Sequence, residues 1–158
     1  MLLGKKRKLG RRIEEMTIGE KLILTEKIED KDLLLYLGLT NDSNPLFIQH
    51  DYASQTPYKK PIVPSIMLTG IISAAVSKYL PGPGSMIIEQ HIRFLKPVYH
   101  YATIQFLLEV TAINMKNDEI EITVKATDEE EKVVIEGNIK VSPPVLIETL
   151  TGKALENF

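Results

Sequence analysis

SIMLTGIISAAVSKYL, residues 65–80, decides how the rest of the chain must be arranged. Nearly every position is apolar or small, and the polar ones are uncharged until Lys78. The run is too long for an ordinary strand, so it predicts a helix buried nearly all round. Pro61 and Pro64 precede it, and Pro81-Gly82-Pro83-Gly84 ends it, because proline can neither donate nor continue a helix. Gly70, Ser73, Ala74, Ala75 and Ser77 would let other backbones approach closely. The run is shorter than the roughly 18 to 20 apolar residues of a membrane helix.

Working outward, strand-like runs lie on both sides of this helix. Lys21 to Glu29 opens with alternation and predicts a first strand. Glu29 to Gly38 then predicts a short helix, capped by Glu29 or Asp30 and stopped at Gly38. Beyond residue 80, Ser85 to Phe94, Thr103 to Ile113, Glu119 to Thr127 and Val133 to Val141 are β-branched or alternating. Asn117-Asp118 and the charged stretch Asp128 to Lys132 supply turns between them. One strand, a short helix, a loop, a long helix and four strands make an α+β chain. A helix this apolar needs a curved antiparallel sheet around it and a second copy against it, which is the hot-dog architecture.

The 158 residues suffice for one domain with a real core. The apolar content of 44% and charged content of 25% are those of an ordinary globular protein. Absence of cysteine excludes disulfides, thiolate metal sites and a Cys nucleophile, and fits a reducing compartment. His50, His91 and His100 have no metal-ligand spacing, so neither a metal nor another cofactor is expected. The basic start has no apolar core or cleavage site of a secretory signal, and a cytoplasmic protein is expected.

Residues 1–15 form a basic arm, with Lys5, Lys6, Arg7, Lys8, Arg11 and Arg12 and no acid before Glu14. With −2 overall, these six cations leave about −8 on the rest of the chain. The arm suits phosphates or simply solubility, and no nucleic-acid motif accompanies it. The body is expected over 16–143, with a tail over 144–158.

Thr40 to Lys60 is polar and too long for an ordinary turn, which marks it as functional. Within it, Asn41-Asp42-Ser43-Asn44-Pro45-Leu46 resembles the hydratase motif of the MaoC-like (R)-specific enoyl-CoA hydratases. That motif runs Asp-x-Asn-Pro-x-His, followed by an acidic residue and an aromatic-Ala pair. Asp42, Asn44, Pro45, Tyr52 and Ala53 match it. Lys60-Pro61-Ile62-Val63 is similar to the family's entry to the central helix. Leu80 to Ser85 and Phe94 to Val98 resemble the helix exit and the strand region after it. The likeness runs from about Met16 to Pro143.

The resemblance implies an acyl-thioester site in which Asp and His hold a water and exchange protons across a 2-enoyl thioester. An amide at the helix start polarises the thioester carbonyl. Here that implies Asp42 for the water and the amide of Ser65 or Ile66 for the carbonyl. Asn44, Pro45, Phe47 and Tyr52 join them as substrate-binding residues. Phe47 stands where the family has its His, and a phenyl ring transfers no proton. Pro64-Ser65 replaces His-Gly, and Tyr101-Ala102 replaces Gly-Asp. His50, on the same loop, is a candidate second acid–base group, or a surface residue paired with Asp51. Asp42 has a second reading too, as the side chain of a local backbone turn. His91 and His100 read as structural or exposed.

Three functions follow as expectations. The first is a hydratase or dehydratase acting on enoyl or 3-hydroxyacyl thioesters of coenzyme A or acyl carrier protein. The second is a non-catalytic thioester-binding protein or partner subunit of a dehydratase, and the third a hot-dog thioesterase. A homodimer is expected, without membrane or nucleic-acid partners.

Overall fold

A computed structural model describes residues 9–145. After a 3-10 turn at Ile13–Glu15, the elements are β1 (Lys21–Lys27), α1 (Asp30–Thr40), α2 (Pro45–Ile48), α3 (His50–Ser54), α4 (Ser65–Lys78), β2 (Met86–Phe94), β3 (Thr103–Asn114), β4 (Glu119–Thr127) and β5 (Val133–Ser142). The arm cations at 5–8 and the tail beyond 145 lie outside the described residues. Every expected strand is present, with ends moved by no more than two residues.

The strands form one antiparallel sheet in the order β1-β3-β4-β5-β2. Strand alternation builds the core directly. Ile104, Phe106, Leu108 and Val110 of β3, with Ile120, Ile122, Val124 and Ala126 of β4, are fully buried, while Gln105, Thr123 and Lys125 face outward. Leu68, Ile72, Ala75 and Val76 of α4 recur at helical spacing and belong to the same core. Each large side chain buried this way contributes on the order of 1.5–3 kcal/mol. The chain is a single hot-dog domain, a sheet curved around α4.

Gly137 is needed in β5 because a β-carbon there would lie 2.0 Å from the His91 carbonyl oxygen on β2. At the other end of the chain, residues 9–16 lie on the helix exit. Gly10 and Arg11 donate to the Pro83 and Pro81 carbonyls at 2.7 and 3.0 Å, and Ile13 and Met16 are buried.

The structure departs from the expected helix burial in one respect. The sheet covers α4 on one side, so Ile66, Gly70 and Ser77 are exposed on a single stripe with Ser73 half-buried among them. The helix also stops at Lys78, where the Tyr79 N–H bonds the Ala75 carbonyl at 2.9 Å.

Candidate active site

The site grows from the end of α1. Asp32 accepts a bond from the Glu29 N–H at 2.9 Å at the helix start, and Asp30 and Asp32 suit the positive end of the helix dipole. The expected stop at Gly38 is not used, because Gly38 stays helical. Asn41 ends the helix instead, in the left-handed region at φ 53° and ψ 27°, with its N–H on the Leu37 carbonyl at 2.9 Å. Asparagine tolerates that conformation where most side chains do not.

This reversal returns the chain over the last turn and brings Asp42 to Tyr36. The Tyr36 hydroxyl donates to Asp42 Oδ2 at 2.5 Å, and the Asn44 N–H donates to Oδ1 at 3.1 Å. Thr40 fastens the turn from below. Its Oγ1 donates to the Tyr36 carbonyl at 2.8 Å and accepts from the Asp42 N–H at 3.3 Å. The bond to the Asp42 carboxylate, with some burial, pushes the Tyr36 phenol above its ordinary pKa. Tyr36 was not among the residues singled out from sequence. The signal for it was Asn41, whose tolerance of left-handed backbone marks a helix end three residues beyond Gly38.

Asn44 caps α2, its Oδ1 accepting from the Leu46 N–H at 3.0 Å, and Pro45 fills the first helical position. Phe47 is half-buried on α2. The Leu46 carbonyl accepts from the Ile62 N–H at 3.1 Å, tying α2 to the strand-like entry of α4. His50 opens α3, exposed, with no hydrogen bond to Asp42 and no ion pair to Asp51. Tyr52 projects from α3 at 49% exposure, and Ala53 anchors that helix in the interior.

Ser65 and Ile66 begin α4 without a side-chain cap. The Met67 N–H bonds the Pro64 carbonyl at 3.0 Å, while the amides of Ser65 and Ile66 meet no acceptor among the described residues. Free amides at a helix start suit an anionic or polarised oxygen.

The other two histidines lie as expected, one exposed and one structural. His91 is exposed and bonds Glu89 at 2.6 Å. His100 is half-buried, with both ring nitrogens sealed from solvent and without a hydrogen-bond partner among the described residues. Burial holds this imidazole below the usual histidine range, opposed by the attraction of Asp30. The Ile62 main chain lies beside the ring outside hydrogen-bond geometry, and His50 adds like-charge repulsion. Next to it Tyr101 adopts left-handed backbone at φ 68° and donates to Asp30.

A groove of about 370 Å³ runs between α1, β1 and α4. Leu24, Ile28, Leu35, Met67, Ile71 and Ala74 line it, with Lys27 and Lys78 also among its walls. Asp42 does not line it, although Leu35 and Tyr36 are neighbours on α1. No helix among the described residues is long and apolar enough to cross a membrane.

The chain matches the MaoC like domain over residues 13–133. It is 32% identical to the (R)-specific enoyl-CoA hydratase of Rhodospirillum rubrum over 83% of this chain and 90% of that protein. It is 29% identical to the 3-hydroxybutyryl-CoA dehydratase of Methylorubrum extorquens, over 83% of each. Its fold is similar to the unliganded R-hydratase from Pseudomonas aeruginosa, with a TM-score of 0.78 and 26% identity, covering 90% of this chain and 94% of that one. Sequence, sheet order and central helix thus converge, and the chain belongs to the MaoC-like domain family.

Proposed function

We propose that the protein is a hydro-lyase of 2-enoyl and 3-hydroxyacyl thioesters of coenzyme A or acyl carrier protein, with Asp42 as its acid–base group. The carrying observation is a carboxylate fixed at both oxygens beside a helix end, in a chain akin to enoyl-CoA hydratases. In the hydration direction Asp42 takes a proton from water as the hydroxyl bonds C3. The C2–C3 π bond opens, charge moves to the thioester oxygen, and Asp42 returns the proton to C2. The free amides of Ser65 and Ile66 are suited to that oxygen, where preorganised donors act most strongly on developing charge. No imidazole bonds Asp42 among the described residues, so in this reading one carboxylate carries the proton both ways, and His50 is not needed.

Asn44 and Pro45 shape the loop around the substrate, and Phe47 and Tyr52 give it apolar walls. The groove beside Leu35 and Met67 takes the acyl chain. A second copy of the chain covers the exposed stripe of α4, and the two form a homodimer. Exposed Met86, Ile88 and Phe94 on β2, the edge strand of the sheet among the described residues, support that assembly.

The test is hydration of crotonyl-CoA and a longer enoyl-CoA, followed in both directions with free thiol measured in parallel. Parent protein should turn over, and Asp42→Ala should lose on the order of 100-fold or more while keeping its fold. Equal turnover by the two removes Asp42 from the reaction. Thiol release in place of hydration would favour the thioesterase reading. Phe47 favours one other reading, a non-catalytic partner subunit, and binding of enoyl-CoA without turnover would select it.

A further inference from the structure

We infer that Tyr36 is the positioning residue of Asp42, holding its carboxylate in the orientation that activates water. The inference rests on the proposed role of Asp42 and adds the group that takes up the place beside it.

Asp42 has two tasks that its two oxygens separate. A local turn needs only Oδ1, which accepts the Asn44 N–H two residues on at 3.1 Å. The bond from Tyr36 to Oδ2 at 2.5 Å contributes nothing to that turn. It comes from the preceding helix, across the Asn41 reversal, and fixes the plane of the carboxylate. A carboxylate offers about four acceptor positions. Two are taken, so two remain for a water and for the proton in transit.

Core packing does not explain where Tyr36 points. α1 buries none of its residues fully, and Tyr36 is half-buried. Its backbone is nonetheless fixed, since its carbonyl accepts the Thr40 hydroxyl and the next carbonyl accepts the Asn41 N–H. The chemistry of a phenol also fits the task. Its pKa is raised by the neighbouring carboxylate, so the hydroxyl stays a donor and does not compete for the proton that Asp42 moves. An imidazole would titrate near neutrality. A tyrosine therefore holds the carboxylate without joining the proton transfer.

The experiment compares parent, Tyr36→Phe, Asp42→Asn and the double variant in crotonyl-CoA hydration. Tyr36→Phe should lower kcat about 10-fold or more, the size of a hydrogen bond to a charged group, with KM unchanged and the fold retained. In the Asp42→Asn background the same substitution should cost nothing further. Parental kcat in Tyr36→Phe, or an equal loss in both backgrounds, overturns the inference. Parental turnover by Asp42→Asn instead overturns the role of Asp42 itself. An ultraviolet titration reads the contact apart from activity. One tyrosine of the parent should ionise at lower pH in Asp42→Asn, and unchanged curves would also overturn the inference.

Discussion

His100 carries a cost that its neighbours do not remove. A half-buried imidazole whose ring nitrogens are both sealed and unpartnered among the described residues favours the neutral form, and burial outweighs the pull of Asp30. Its folded pKa lies below the unfolded value, so the unfolded chain binds the proton more readily. The stability present above the ordinary histidine pKa of about 6.5 is therefore lost as pH falls towards the folded value. Denaturant melts at pH 8 and pH 5.5 should show this slope, and His100→Gln should flatten it. An identical slope in the variant would assign the pH dependence to other groups. Tyr101 is a second local conflict, a bulky residue in left-handed backbone where the resembling family has glycine. Its bond to Asp30 supplies a reason for the side chain to be there.

Among the elements, α1 is held at its ends rather than by its middle. Gly38 lies within it at an ordinary helical φ, and a β-carbon there would meet nothing within 4 Å. Gly38→Ala is expected to raise stability by about 0.5–1 kcal/mol, because glycine loses more freedom than alanine on entering a helix. A lower melting temperature in that variant would mean that the position needs glycine. α4 shows how one helix serves three surroundings. One side is buried against the sheet, one flank forms the groove with α1 and β1, and one stripe faces outward. Ala74 lines the groove, and Ala74→Leu should reduce kcat/KM for a long enoyl-CoA about 10-fold while sparing crotonyl-CoA. Equal effects on both substrates would place the acyl chain elsewhere.

For the whole molecule, the open sheet edge and the outward stripe of α4 pose one question. Among the described residues β2 pairs on one side only and carries exposed Met86, Ile88 and Phe94, while Ile66 stands 57% exposed on α4. A 17.8 kDa chain with such surfaces is expected to sediment as a dimer. Ile88→Lys combined with Ile66→Asp should shift it to monomer, since charges on an apolar contact are costly to bury. A parent that sediments as monomer would refute the dimer directly.

The sequence by itself determined the sheet, because strand alternation reports burial one residue at a time. Phe106, Val124 and Ile139 could be placed inside with no knowledge of their partners. It also determined that residues 65–80 carry an apolar helix, though not which of its sides meets the sheet, and the loop built on Asp42, Asn44 and Pro45, whose capping chemistry is local. Tertiary structure alone decided what lies across space. Asn41 and not Gly38 ends α1, and that shift of three residues turns Asp42 back onto Tyr36. The sealed surroundings of His100 come from chain segments far apart in sequence. So does the flank of α4 that becomes a groove, since a helix pattern records how apolar a face is and not what stands opposite it.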